Sequence, residues 1–137
     1  MSPTAPTADL DFCYLTTIGR SSGLERTIEI WFGLAGMTVY MLSGGGDRSD
    51  WVKNLMRNPN VKVRIGRREW PGRARFLDQP EEDARARRLL AAKYQGWAEG
   101  KRLSGWARTS LPVAVDLDEN PAPNAGGRPM KASASAR

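Results

Sequence analysis

The sequence predicts a mainly β (α+β) fold: six short strands in an antiparallel barrel, accompanied by two helices. Short runs of aromatic and β-branched residues recur between turns that contain glycine or proline, which is typical of strands. Only two segments space their apolar residues as a helix does. Because strands and helices do not alternate regularly, an antiparallel barrel is favoured over a parallel sheet.

The first three predicted strands follow one another closely. Phe12–Ile18 is aromatic and β-branched, and it ends at the turn Gly19–Gly23, whose two glycines are able to adopt positive φ. Thr27–Phe32 alternates apolar and polar residues and forms the second strand. A hairpin turn over Gly33–Gly36 leads to the third strand, Met37–Leu42.

A glycine-rich loop, Ser43–Ser49, joins the third strand to a first helix, Asp50–Asn58. Ser49 suits the N-cap, and Asp50 suits the positive end of the helix dipole. A loop of this kind can hold a phosphate through its backbone N–H groups, and it equally suits a plain connection. It is neither a Walker A motif nor the glycine fingerprint of a dinucleotide-binding fold.

The second predicted helix runs from Pro80 to about Tyr94, after a fourth strand at Val61–Ile65 and a fifth at Arg73–Leu77. Proline in the first turn and three acidic residues after it are typical of a helix start. A turn at Pro71–Gly72 separates these two strands. Three arginines lie beside the apolar positions of the helix and are expected to be exposed: Arg85, Arg87 and Arg88.

The folded unit is expected to span residues 10–118. Gln95–Arg108 is predicted to be irregular or weakly helical, and Leu111–Leu117 is the sixth strand. Residues 1–9 and 119–137 are rich in Pro, Ala, Gly and Ser, so a disordered arm and a disordered tail are expected. The sequence shows no signal peptide and no apolar run of about 20 residues, which favours a cytoplasmic protein.

The composition excludes several kinds of catalytic site. The chain has no histidine and one cysteine, Cys13, so histidine bases, His-ligated metals and disulfides within the chain are ruled out. No metal site and no catalytic side chain are expected. An enzyme with this sequence would therefore rely on a cofactor that the protein binds and orients.

The charge balance favours anionic partners. The chain carries 21 Lys and Arg against 15 Asp and Glu, a formal net charge of +6, and basic residues are concentrated between Asp47 and Arg75. Arg20 and Arg26 also flank the first turn, where they would add affinity for an anion. The basic run equally suits a solvated outer face of the barrel.

Three stretches resemble the deazaflavin-dependent nitroreductase family: YLTTIGRSSGLERTIEIWF, VYMLSGGGDRSDWVKNLMRNPNVKVRIG and LLAAKYQGW. The resemblance covers about Tyr14 to Leu117. It implies a six-stranded antiparallel split β-barrel with two helices, like that of flavin reductases and pyridoxamine-phosphate oxidases. It also implies that the chain binds coenzyme F-420, an 8-hydroxy-5-deazaflavin with a phosphate and an oligoglutamate tail.

The resemblance assigns residues to each part of the site. The positions that match the family's cofactor contacts are Arg20, Ser21, Arg26, Trp31, Ser43, Gly44, Gly45, Arg48, Trp51 and Asn54. The positions on the substrate side are Tyr94, Trp97 and Trp106. The chain departs from its relatives at Ser21 and Gly44, where lysine can occur, so two cations that could bind the tail are missing.

The implied function is an oxidoreductase that passes a hydride from the reduced cofactor to a quinone, a nitroaromatic or an activated enone. Three alternatives stay open: an FMN-binding oxidoreductase with the same barrel, a basic nucleic-acid-binding module, and a cofactor carrier without turnover. The expected partner is a small-molecule electron acceptor and not a nucleic acid. The resemblance also allows a homodimer and contact with a membrane surface for a quinone substrate.

Overall fold

The computed structural model describes residues 6–118, in which seven strands and three α-helices form. In chain order the elements are β1 Cys13–Ile18, β2 Glu25–Ile30, β3 Gly33–Ala35, β4 Thr38–Ser43, α1 Asp50–Arg57, β5 Asn60–Ile65, β6 Arg68–Phe76, α2 Pro80–Gln95, α3 Gly105–Thr109 and β7 Leu111–Leu117. Within this part of the chain, no helix combines the length and the apolar character needed to cross a bilayer. The expected arm and tail fall largely on residues 1–5 and 119–137, outside the described residues.

All neighbouring strands are antiparallel, as predicted, in the order β2-β1-β5-β6-β7-β4-β3. The two edge strands, β2 and β3, are consecutive in the chain, and only Trp31 and Phe32 separate them. The sheet must therefore curl until its two edges meet at this bend, which gives the barrel expected from the sequence.

Side chains from alternate positions of each strand fill the barrel. Leu15, Val63, Trp70 and Val115 are fully buried and belong to this inner cluster. Each buried aliphatic side chain of this kind contributes about 1.5–3 kcal/mol to stability. A second apolar cluster lies outside the barrel, where α2 packs against the outer faces of β4 and β7.

An ion-pair network fastens α2 to the sheet. Arg75 on β6 donates two hydrogen bonds of 2.8 Å to Glu82 on α2 and one of 2.7 Å to Asp116 on β7. Tyr40 on β4 donates a further bond of 2.6 Å to Glu82. The bonds from Arg75 and Tyr40 lower the pKa of Glu82 to about 2. The network therefore depends on an ionised carboxylate at position 82.

Three elements differ from the sequence-based expectations. There are seven strands rather than six, because Gly33–Ala35 pairs with the first three residues of β4 instead of forming only a turn. Strand β6 begins at Arg68 and continues through Pro71, where a turn was expected. A third helix, α3, forms within the segment that was expected to be irregular or weakly helical.

Candidate functional site

A groove lies between the β1–β2 turn and helix α1. Its volume is about 650 Å³. It brings together five of the ten residues expected to bind the cofactor: Arg20, Ser21, Arg26, Trp51 and Asn54. The turn supplies Arg20, and Arg26 follows near the start of β2, because Gly23, at φ +74°, lets the chain reverse between β1 and β2.

Arg20 is held in place by the buried amide of Asn54, which is only 4% exposed. The Oδ1 atom of Asn54 accepts bonds from the Arg20 backbone N (3.1 Å) and Nη1 (2.9 Å). The Nδ2 atom of Asn54 donates to Thr17 Oγ1 at 3.1 Å. Arg20 also pairs with Asp50 at 3.2 Å. Asn54 thus positions the turn, and Thr17 is a supporting residue that no sequence pattern pointed to.

Arg26 lines the same groove, and its side chain has no partner among the residues that the structure describes. Its guanidinium makes no hydrogen bond or ion pair with any residue between 6 and 118, in contrast to that of Arg20. A cation left unpaired beside a groove is suited to a phosphate or carboxylate, whose oxygens form strong charge-assisted hydrogen bonds with a guanidinium.

The glycine-rich loop is closed by bonds between its own side chains. Ser43 Oγ donates to the Gly46 carbonyl at 2.8 Å and lies 2.7 Å from Ser49 Oγ. Ser49 is the N-cap residue of α1, as predicted, but its side chain makes no cap bond. A Cβ atom on Gly45 would lie 2.7 Å from Ser49 Oγ, so a side chain there would displace the Ser49 hydroxyl from this arrangement.

Three aromatic rings pack together beside this loop, and we call them the aromatic cluster: Trp31, Tyr94 and Trp106. The Trp31 and Tyr94 rings stack in parallel with their centroids 4.3 Å apart. Trp106 meets Trp31 edge-on at 5.5 Å and 87°. The Trp106 indole also lies 3.6 Å from the point that a Cβ atom on Gly44 would occupy. Trp31 remains 40% exposed, so the cluster offers apolar surface to a ligand.

The hydroxyl of Tyr94 is engaged by backbone groups. It lies 2.8 Å from the Asp11 carbonyl and 3.1 Å from the Phe32 carbonyl, and it accepts a 3.0 Å bond from the Phe32 N–H. Burial raises the pKa of this phenol. The Lys93 ammonium donates to the same Phe32 carbonyl at 3.1 Å. Burial lowers the pKa of Lys93. Tyr94 therefore supports Trp31 from behind.

Two of the expected site residues, Arg48 and Trp97, belong neither to the groove nor to the aromatic cluster. Arg48 is exposed in the short 3₁₀ turn Gly46–Arg48 and does not line the groove. Trp97 is half-buried, and its Nε1 donates to the Lys101 carbonyl at 2.8 Å without stacking on another described ring. Across residues 6–118, no three acidic or cysteine side chains gather closely enough to hold a metal ion.

Strand β2 connects the groove to the aromatic cluster. Arg26 lies near its start and Trp31 follows its end, a separation of about 16 Å along an extended strand. The lone thiol, Cys13, is buried, and burial raises its pKa to about 12, so it is not a nucleophile at neutral pH. Arg26 and Trp31 thus mark a charged place and an aromatic place at the two ends of β2.

Known structures share this fold. A structure described as an F420-H2 dependent reductase (FDR-A) is 27% identical, with 79% of this chain and 94% of that chain covered and a TM-score of 0.58. A structure described as a domain-swapped dimer is 26% identical, with 80% and 81% covered and a TM-score of 0.60. A FAD-binding protein from Mesorhizobium loti is 15% identical, with 81% and 83% covered and a TM-score of 0.55, and shows the fold alone.

The family is shown by a match of the sequence to a family model. No curated protein sequence matches the chain significantly. The model described as "F420H(2)-dependent quinone reductase" matches residues 4–118, which include the whole barrel. The resemblance to deazaflavin-dependent reductases is thereby confirmed, as is coenzyme F-420 as the cofactor. The chain belongs to the F420H(2)-dependent quinone reductase family and is a deazaflavin-dependent oxidoreductase.

Proposed function

We propose that this reductase passes a hydride from reduced F-420 to a quinone, and that nitroaromatics and activated enones are also acceptors. One observation carries the proposal. Strand β2 joins the groove, where the Arg26 guanidinium has no partner within residues 6–118, to the exposed face of Trp31 in the aromatic cluster. An anionic tail and a planar ring are the two ends of F-420, and the residues at the two ends of β2 suit them.

The residues present fit this cofactor. The loop backbone at Gly44 and Gly45 is exposed and carries no side chain, so a flat ring can approach its N–H groups. Arg26 fits the phosphate or a tail carboxylate. Lys53 and Arg57 border an adjoining open groove with Arg20, so they can supply positive charge that lysines at positions 21 and 44 supply in relatives.

The chain's own residues contribute binding, orientation and exclusion of water. The bound deazaflavin, when reduced, supplies the hydride from its C5 atom. Arg20, fixed by Asn54, and Arg26 hold the anionic end. Trp31 and Trp106 meet at 87°, which leaves an apolar corner against which a flat acceptor can lie. When both reactants are held in a fixed orientation, most of their translational and rotational entropy is lost on binding and not in the reaction step, which lowers the barrier.

An anaerobic titration tests the cofactor assignment. We expect F-420 fluorescence to change on binding, and menadione to oxidise the reduced cofactor only when the protein is present. FMN serves as the competing ligand. The proposal fails if FMN binds and F-420 does not bind below about 1 mM, the upper end of ordinary KM values. A nitroaromatic and an activated enone, assayed in parallel, define the acceptor range.

Two tryptophan variants test the acceptor site. Trp106→Ala should raise the KM for menadione about two- to tenfold, the worth of one aromatic contact, because Trp106 belongs to the aromatic cluster. Trp97→Ala is the matched control, since Trp97 stacks on no other described ring. Equal effects of the two substitutions would show that the acceptor lies elsewhere.

We also propose that the protein forms a homodimer. The support is the solved relative described as a domain-swapped dimer, which is 26% identical to this chain. Light scattering coupled to size exclusion gives the mass directly. A monomer at all protein concentrations would contradict the proposal without affecting the assignment of the cofactor.

A further inference from the structure

Helix α3 carries Trp106 but has only five residues, Gly105–Thr109. A helix this short is unstable in water on its own, because nucleating its first turn costs more than its few hydrogen bonds return. The position of the Trp106 indole therefore depends on whatever holds α3 against the rest of the molecule. Helix α2 holds it at both ends.

The N-terminal end of α3 is attached to the last residue of α2. Ser104, the N-cap, accepts a 3.1 Å bond from the Ala107 N–H. Its hydroxyl donates at the same time to Gln95 Oε1 at 2.6 Å. One hydroxyl thus starts α3 and ties that start to α2.

The C-terminal end of α3 is attached through Arg87. Its Nη1 atom lies 2.9 Å from each of three backbone carbonyls, those of Ala107, Arg108 and Ser110. Its Nε atom donates to Asp83 at 2.6 Å, which fixes the plane of the guanidinium. The side chain is only 17% exposed, although the sequence pattern had predicted an exposed arginine. A cation at the carbonyl end of a helix also matches the helix dipole.

We propose that Arg87 is a positioning residue for the acceptor site: it fixes α3 so that Trp106 stands edge-on to Trp31 and against Gly44. The inference rests on the proposed function, in which Trp106 forms one wall of that site. Arg87 lies behind this wall, so it acts on the acceptor only through the placement of the indole.

Lysine cannot reproduce this arrangement. The guanidinium binds Asp83 through Nε while it reaches the three carbonyls through Nη1. A lysine ammonium is a single point charge and cannot do both from the same position. Arg87→Lys should therefore disturb the placement of α3 less than a neutral substitution does. It keeps a cation near the carbonyls but loses the fixed orientation.

The test compares Arg87→Gln with Arg88→Gln. Arg88 is the next residue of α2; it is exposed and makes no hydrogen bond or ion pair among residues 6–118. Arg87→Gln should raise the KM for menadione about two- to tenfold, as loss of one aromatic wall would, and leave the Kd for F-420 within twofold. Arg88→Gln should change neither. A lower Tm for Arg87→Gln with an unchanged KM would overturn the inference and leave Arg87 a purely structural residue.

A double substitution separates this inference from the proposed function. If Arg87 acts through Trp106, Arg87→Gln should add nothing to the KM of Trp106→Ala; additive effects would overturn the inference. If Trp106→Ala raises KM and Arg87→Gln does not, the inference fails while the proposed function stands. If Trp106→Ala leaves KM unchanged, both the acceptor site and the inference are wrong. Should Arg87→Gln not fold, Ser104→Ala loosens the other end of α3 and must raise KM in the same direction.

Discussion

Replacing Arg26 with alanine removes a guanidinium that lines the groove and bonds to no residue between 6 and 118. The folded protein should therefore lose nothing that holds it together, and Tm should stay within the range of ordinary surface substitutions. Arg20 is a poorer target, because its bonds to Asn54 and Asp50 hold the turn against α1. A loss of binding in Arg26→Ala can thus be assigned to the ligand.

The size of the effect follows from the kind of bond that Arg26 would make. Hydrogen bonds to charged groups contribute about 1.5–3 kcal/mol. Arg26 is exposed at the edge of an open groove, where water and salt weaken the interaction, so the lower value applies. About 1.5 kcal/mol corresponds to a loss of roughly tenfold in affinity for F-420.

Fluorescence titration at two salt concentrations measures this loss, with Arg48→Ala as the control. Arg48 occupies a position that matches one of the family's cofactor contacts in sequence, but it does not line the groove. We expect Arg48→Ala to change the Kd by less than about twofold, because Arg48 is exposed, does not line the groove that holds Arg26, and its charge is screened by salt. The wild-type advantage over Arg26→Ala should shrink at high salt. An Arg26→Ala protein with wild-type affinity, or an Arg48→Ala protein with a tenfold loss, would refute this reading of the groove.

Three further outcomes concern stability and reactivity. Glu82 has its pKa lowered to about 2, so its ion pair stabilises the fold above the unfolded pKa near 4.5; that stability should be lost as pH falls towards 2, and urea unfolding of Glu82→Gln should lack this dependence. Cys13 is buried with its pKa raised to about 12, so a thiol reagent at pH 8 should modify it only in denaturant; rapid labelling of folded protein would contradict the burial. Tyr94→Phe should cost about 1–3 kcal/mol of unfolding free energy, because the buried Phe32 N–H loses its acceptor; an unchanged Tm would show that water replaces it.

Strands were predicted correctly from the sequence where apolar and polar residues alternate. The prediction was wrong where a residue typical of turns lies within a strand. Pro71 was expected to mark a turn, yet β6 passes through it. Its carbonyl accepts a bond from Asp118, just beyond the end of β7, and the nitrogen of a strand residue points to the same side as its carbonyl. The missing N–H of Pro71 therefore removes no bond to β5. Proline is tolerated in a strand only where the backbone nitrogen has no ladder bond to make, and the local sequence does not show which positions those are.

The local geometry of the candidate site could be expected from the sequence, whereas its long-range contacts could not. The turn arginines and the glycine-rich loop are each encoded by a short run of adjacent residues. The position of Arg87 gave no such signal, because its three carbonyl partners lie 20 to 23 residues further along the chain. The separation of Trp97 from the aromatic cluster is of the same kind, since only the fold of the segment after α2 decides which tryptophan faces Trp31.

The bend at which the barrel closes limits how this enzyme's acceptor range can change. At Phe32 the chain leaves one sheet edge and joins the other, and its N–H and carbonyl bond to Tyr94 and Lys93 instead of to a neighbouring strand. Tyr94 is thus fixed twice, by its ring under Trp31 and by its hydroxyl at the bend. Substitution of Tyr94 would alter the proposed acceptor site and weaken the closure of the barrel together. Directed evolution for new acceptors should therefore gather its tolerated changes in α3 and the segment before it, and leave position 94 untouched.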